Sequence, residues 1–132
     1  MNELGGQTVV VIGGSSGIGL ETGRWARAAG ADVILTGRNP DHLKQAAADV
    51  GADRTAAFDA TDWAALQRFF ADLPGPVDHV MVTAGGQYYA SLAEMDFTQA
   101  RRAIDAHLLC AGHPDWEPWR CPCRCYLFRL CG

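Results

Sequence analysis

Cysteine is absent from the first 109 residues, and no apolar stretch approaches the roughly 18–20 residues that a membrane-crossing helix needs. Residues 1–7 carry no basic side chain and no long apolar core, so they do not read as a signal peptide. No internal repeat is visible. Positive charge is also scarce: 11 Lys and Arg against 15 Asp and Glu leave a net charge of −4, which argues against a nucleic-acid surface. With 132 residues, 48% of them hydrophobic, the composition suits at most one soluble, cytoplasmic domain with no membrane partner.

What is present is concentrated near the start. Gly13-Gly14-Ser15-Ser16-Gly17-Ile18-Gly19 lies between a β-branched run, residues 8–12, and a segment with helical spacing. A strand that ends in a glycine-rich turn and feeds a helix aims free backbone N–H groups and the positive end of the helix dipole at one point. A pyrophosphate fits there without any charged side chain. Gly13 can take a turn conformation closed to other residues, Gly17 lets the backbone approach the phosphates, and Gly19 lets the helix pack close on the strand. Ser15 and Ser16 can donate to phosphate oxygens, or serve as ordinary turn residues.

The rest of the chain supplies context for this turn. Leu20, Thr22, Trp25, Ala26 and Ala29 recur at helical spacing, and Gly30 closes that helix. Residues 32–36 read as a second strand, followed by Gly37-Arg38. Asn39 and Pro40 read as cap and first turn of a helix that ends at Gly51. A weaker strand is expected over 55–58. A helix capped by Thr61 or Asp62 follows and is broken by Pro74-Gly75-Pro76. Residues 77–83 are the fourth expected strand, and a last helix begins near Asp96. Strands alternating with helices spell an α/β fold, a doubly wound parallel sheet with right-handed crossovers.

These residues resemble the N-terminal half of the short-chain dehydrogenase/reductase family, from about Thr8 to Leu109. Ile12-Gly13-x3-Gly17-Ile18-Gly19 resembles the family's Thr-Gly-x3-Gly-x-Gly turn, with Ile12 in place of the usual threonine. Asp59, with Ala60 beside it, resembles the acidic position after the third strand that meets the adenine amino group, although an aspartate there can also simply cap a helix. Val82-Thr83-Ala84-Gly85 resembles the Asn-Asn-Ala-Gly segment after the fourth strand, with both asparagines changed. The resemblance therefore implies a Rossmann-like domain over 1–109 that binds NAD(P) through Gly13, Ser15, Ser16, Gly17, Ile18, Gly19, Asp59, Ala60, Ala84 and Gly85.

The place about 20 positions beyond the glycine turn distinguishes the cofactors. An acid there would accept ribose hydroxyls and repel a 2′-phosphate. Gly37-Arg38 stands there instead, and a guanidinium offers a forked, permanently charged donor to a phosphate. NADP is therefore expected ahead of NAD. The alternative is a solvated Arg38, with Asp41 accepting the ribose hydroxyls of NAD.

The resemblance implies hydride transfer with a small-molecule carbonyl or alcohol, using a tyrosine whose pKa is lowered by a lysine four residues later. Lys44 is the only lysine and position 40 is Pro40, so no Tyr-x-x-x-Lys exists in this sequence. The family's helix asparagine corresponds to His107, which can relay protons or be structural. No residue of this chain is thus expected to catalyse alone. The alternative is a non-catalytic NADP(H)-binding module. Tyr88 and Tyr89 can line a substrate entrance or be surface aromatics, and homo-oligomer formation stays open.

All five cysteines fall within residues 110–132, with two of four tryptophans and three of six prolines. This segment is expected to break the last helix at 110–114 and to form an irregular tail, separate from 1–109. Cys121, Cys123 and Cys125 are spaced by one residue, not the two to four usual for zinc, so no metal site is expected. A disulfide framework conflicts with the cytoplasmic character of the remainder. The tail reads as frame-shifted or disordered sequence in place of a fifth strand, which would leave the fourth strand as an open apolar edge; the alternative is that the apolar end Tyr126-Leu127-Phe128 covers that edge, although nothing in its pattern demands it.

Overall fold

The computed structural model describes residues 2–84, 88–112 and 124–127. Strands β1 (Thr8–Ile12), β2 (Asp32–Gly37), β3 (Arg54–Ala57), β4 (His79–Val82) and β5 (Arg124–Leu127) alternate with helices α1 (Gly17–Ala28), α2 (Pro40–Val50), α3 (Trp63–Ala71) and α4 (Phe97–Gly112). All pairings are parallel, in the order β3-β2-β1-β4-β5. The chain starts mid-sheet, winds outward through β2 and β3, then returns to the other side of β1 as β4. The reversal opens a crevice beyond the C-terminal ends of β1 and β4, where ligands bind in open α/β sheets.

Burial explains why β1 and β2 lack polar alternation. Val9, Val10, Val11 and Ile12 are all buried, as are Val33, Ile34 and Leu35, because both faces of the central strands are covered. The two-residue period divides them between two cores. Val9, Val11, Val33 and Leu35 pack with Ala26 of α1 and with Leu43, Ala46 and Val50 of α2. Val10, Ile12 and Ile34 pack on the opposite face with Leu66 and Phe69 of α3, and with Val77 and Val80.

Local chemistry sets most helix ends. Asn39 Oδ1 accepts from the N–H groups of Asp41 and His42 at 2.9 and 3.1 Å, with Pro40 opening α2. Gly51 ends that helix at φ 72°, a left-handed conformation that suits glycine. Asp62 caps α3 through Ala65 N–H at 3.1 Å, and Asp96 caps α4 through Thr98 and Gln99.

Several boundaries differ from the sequence expectation. β2 continues through Gly37, whose carbonyl accepts from Phe58 N–H at 3.0 Å. β3 covers Arg54–Ala57, one residue earlier than expected. β4 is limited to His79–Val82, although Val77 before it is buried against the α3 side. α4 continues to Gly112, two residues short of Pro114. The outer side of β4, expected to be open, pairs with β5 from His79↔Arg124 to Val82↔Leu127. A parallel partner there occupies backbone groups that would otherwise be exposed. The remainder of the tail, 113–123 and 128–132, lies outside the described residues.

Candidate functional site

The site forms where β1 ends. Gly13 adopts φ 93°, and a Cβ there would lie 2.6 Å from the amide nitrogen of Ala84, so both conformation and space require glycine. Gly13 and Gly14 N–H groups donate to the Thr36 carbonyl at 3.2 and 2.9 Å, which anchors the turn on the end of β2. Ile12 O accepts from Thr83 and Ala84 N–H at 2.8 and 3.0 Å, which anchors it on β4. Gly19 brings α1 against the turn, since a Cβ there would come within 2.2 Å of Gly13 O. Around Gly17, at φ 56°, a Cβ would meet nothing within 4 Å.

The start of α1 is electrostatically distinctive. Ser16 is its extended N-cap residue, but its hydroxyl makes no capping bond, and no acidic residue lies in the first turn. The first helical amide with an acceptor is Leu20 N–H, which reaches Ser16 O at 3.3 Å. The N–H groups of Gly17, Ile18 and Gly19 find no acceptor among the described residues, and Ser16, Gly17 and Ile18 are exposed. Free donors at a dipole's positive end favour an anion.

The end of β2 lies beside this turn. A Cβ on Gly37 would meet Ser15 Oγ at 3.0 Å, so the Ser15 side chain lies against the backbone one residue before Arg38. Arg38 is exposed and forms no ion pair with any described residue. Asp59, after β3, is also exposed. One of its oxygens, Oδ1, accepts from Thr61 N–H at 2.9 Å and Thr61 Oγ1 at 2.7 Å. These two bonds hold the Asp59 carboxyl below its ordinary pKa, with smaller contributions from Arg38 and Arg102. Asp59 therefore closes a turn while Asp62 caps α3, and Oδ2 of Asp59 has no partner among the described residues.

Ala60 is buried in the α3-side core, and Ala84 sits half-buried at the end of β4. Gly85 lies outside the described residues. His107 belongs to α4, and its side chain lies outside them too. Tyr88 accepts the Asp96 N–H at 2.7 Å through its hydroxyl, so it braces the start of α4, while Tyr89 is 77% exposed. The sequence reading missed two participants. Thr83 donates its hydroxyl to Gly13 O at 3.0 Å, and Arg102 adds positive charge near Asp59. The changed asparagine pattern marked Thr83; nothing local marked Arg102.

Among the described residues, no three His, Cys, Asp or Glu side chains gather where they could hold a metal ion, and no helix is long and apolar enough to cross a membrane. The model of the short chain dehydrogenase family matches residues 7–111. A Streptomyces lividans protein described as "Probable oxidoreductase" is 41% identical over 88 residues, 63% of this chain and 30% of that protein. The NADP-dependent (R)-specific alcohol dehydrogenase of Lentilactobacillus kefiri is 30% identical over 113 residues, 81% of this chain and 45% of its own length. A solved structure described as a short chain dehydrogenase/reductase family protein superposes with a TM-score of 0.76 at 37% identity, covering 82% of this chain and 46% of that one. The chain thus spans less than half the length of each of these relatives. With that match across residues 7–111, the chain belongs to the short chain dehydrogenase family.

Proposed function

We propose that the chain is the NADP(H)-binding half of an oxidoreductase that transfers hydride between the nicotinamide and a small-molecule carbonyl or alcohol. The observation that carries this reading is the uncapped start of α1, where three successive amides have no acceptor among the described residues, beside a turn with no room for a Cβ at Gly13 or Gly19. Those amides would hold the pyrophosphate. Ser15 and Arg38 together form a donor pair at the ribose end, with Arg38 meeting a 2′-phosphate by charge-assisted hydrogen bonds. The open oxygen of Asp59 would accept from the adenine amino group, and its depressed pKa keeps it an acceptor at neutral pH. Ala84 and Gly85 would border the adenosine from β4. The NADP dependence named for the Lentilactobacillus relative agrees with this choice.

NADPH, when bound, supplies a hydride, and NADP⁺ accepts one. The residues of this chain bind and orient the cofactor. The lone lysine, Lys44, lies on α2 and cannot form a Tyr-x-x-x-Lys pair, so the chain by itself binds without transferring hydride. Fluorescence titration of the purified 132-residue chain tests the assignment. Arg38→Ala is expected to weaken NADPH by about tenfold or more, as loss of a charge-assisted bond predicts. NADH affinity should stay within about twofold, because it lacks the 2′-phosphate. Equal losses for both cofactors would overturn the phosphate role of Arg38, and a wild-type chain that binds neither would overturn the cofactor assignment.

A further inference from the structure

We infer that the Thr83 hydroxyl is a positioning residue that fixes the phosphate-binding turn by holding the Gly13 carbonyl; its effect on binding rests on the cofactor reading above. Thr83 Oγ1 lies 3.0 Å from Gly13 O and 3.3 Å from Ile12 O, at the half-buried end of β4. The Ile12 carbonyl already accepts two backbone N–H groups, from Thr83 and Ala84. Gly13 O has no backbone donor among the described residues, so the hydroxyl bond matters most there. Ile12, only 2% exposed, brings no hydroxyl of its own to this crevice.

The bond completes a three-point attachment. On one side the Gly13 and Gly14 amides reach Thr36 of β2; on the other the Gly13 carbonyl reaches Thr83 of β4. α1 closes the third side, because a Cβ on Gly19 would come within 2.2 Å of Gly13 O and 2.6 Å of Thr83 Oγ1. The Gly13 carbonyl is therefore wedged among the hydroxyl, the turn and the first helical residues. If the hydroxyl is removed, that carbonyl is left without a donor among the described residues, in a half-buried place. The cheapest relief is rotation of the Gly13 peptide, which shifts the amides aimed at the ligand. The change acts on the pyrophosphate end, so it cannot distinguish cofactors by their 2′ position.

Two variants and two readouts test this. Thr83→Val keeps the β-branched shape without the hydroxyl, and Thr83→Ser keeps the hydroxyl without the methyl. Thr83→Val is expected to weaken NADPH and NADH by the same factor, about five- to tenfold, as for one hydrogen bond lost with its partner left unpaired. Thr83→Ser should bind both within about twofold of wild type. In the ligand-free chain, amide hydrogen exchange of Thr83→Val should quicken over residues 13–19 while the β1 and β2 amides stay protected as in wild type. Unchanged binding by Thr83→Val, or equal damage from Thr83→Ser, would overturn the role, as would exchange quickened throughout the central strands. If the wild-type chain binds neither cofactor, the cofactor reading fails on its own, and exchange over 13–19 decides the clasp: faster supports it, unchanged sinks it.

Discussion

The two ends of the sheet treat their polar backbone groups differently. Where the strands begin, side-chain acceptors close part-buried backbone donors. Asp78 Oδ2 accepts Thr8 N–H at 2.8 Å, and Asp53 Oδ2 accepts Val33 N–H at 2.8 Å and Arg27 Nη1 at 3.1 Å. His79 Nε2 and Gln7 Oε1 lie 2.6 Å apart across the same end. Where the strands finish, Asn39, Asp62 and Asp96 cap the helices that follow β2, β3 and β4, but the start of α1 after β1 is left open and Arg38 forms no ion pair with the described residues. Acids placed against backbone donors contribute to the fold. Donors without acids are available to an anion from outside.

The largest expected effect comes from opening the closed end. Asp78→Ala leaves the Thr8 N–H at the start of the central strand without its acceptor, in a part-buried place. Stability should fall by about 1–3 kcal/mol, the usual cost of an unpaired buried donor. Denaturant unfolding measures that loss, and NADPH affinity of the folded protein should remain within about twofold. An affinity loss larger than that would mean that the two ends are coupled and the contrast is wrong.

Closing the open end should have the reverse character. Ser16→Asp places an acid at the uncapped N-terminus of α1, where it can accept a helical amide and meet the dipole's positive end. The chain should gain about 0.5–1 kcal/mol of stability. The same carboxylate would compete with a pyrophosphate for the amides and repel it, so NADPH affinity should drop by about tenfold. Higher stability with lower affinity is the signature. If both rise, the amides of Gly17, Ile18 and Gly19 do not receive the ligand's phosphates.

Much of this organisation was readable because it is local. Thr8–Ile12 is strand-like by its own β-branching, the glycines of the turn follow at once, and Asn39-Pro40 with Gly51 brackets α2 in neighbouring residues. The short strands were less legible. β3 is built of Arg, Thr and two alanines, so its bounds depend on pairing with β2 more than on its own pattern. β5 was barely legible: the apolar residues Tyr126 and Leu127 offered cover for the edge of β4, but they lie in a segment without period, and only the register against β4 defines the strand. At the site, the turn and Arg38 could be picked out from sequence spacing. The hydroxyl bond from Thr83 to Gly13, 70 residues apart in sequence, and the field of Arg102 at Asp59 exist only once the strands are assembled.

The smallest effect belongs to Asp59, whose carboxylate at the finishing end of the strands is held by Thr61. Its carboxyl is held below the ordinary aspartate value, chiefly by the Thr61 amide and then the Thr61 hydroxyl. A pKa lowered in the folded state gives stability that is complete above the unfolded value, about 3.9 for an aspartate, and is lost as pH falls through the folded value. Asp59→Asn removes this titration. The fall in Tm between pH 5 and pH 2 should therefore be slightly smaller in the variant than in wild type, with the difference confined to the acid end of the range. Because Asp59 is exposed, solvent screening keeps the effect small. A variant that instead lost Tm equally at every pH would show that Thr61 matters as turn packing, not as a stabiliser of the charged carboxylate.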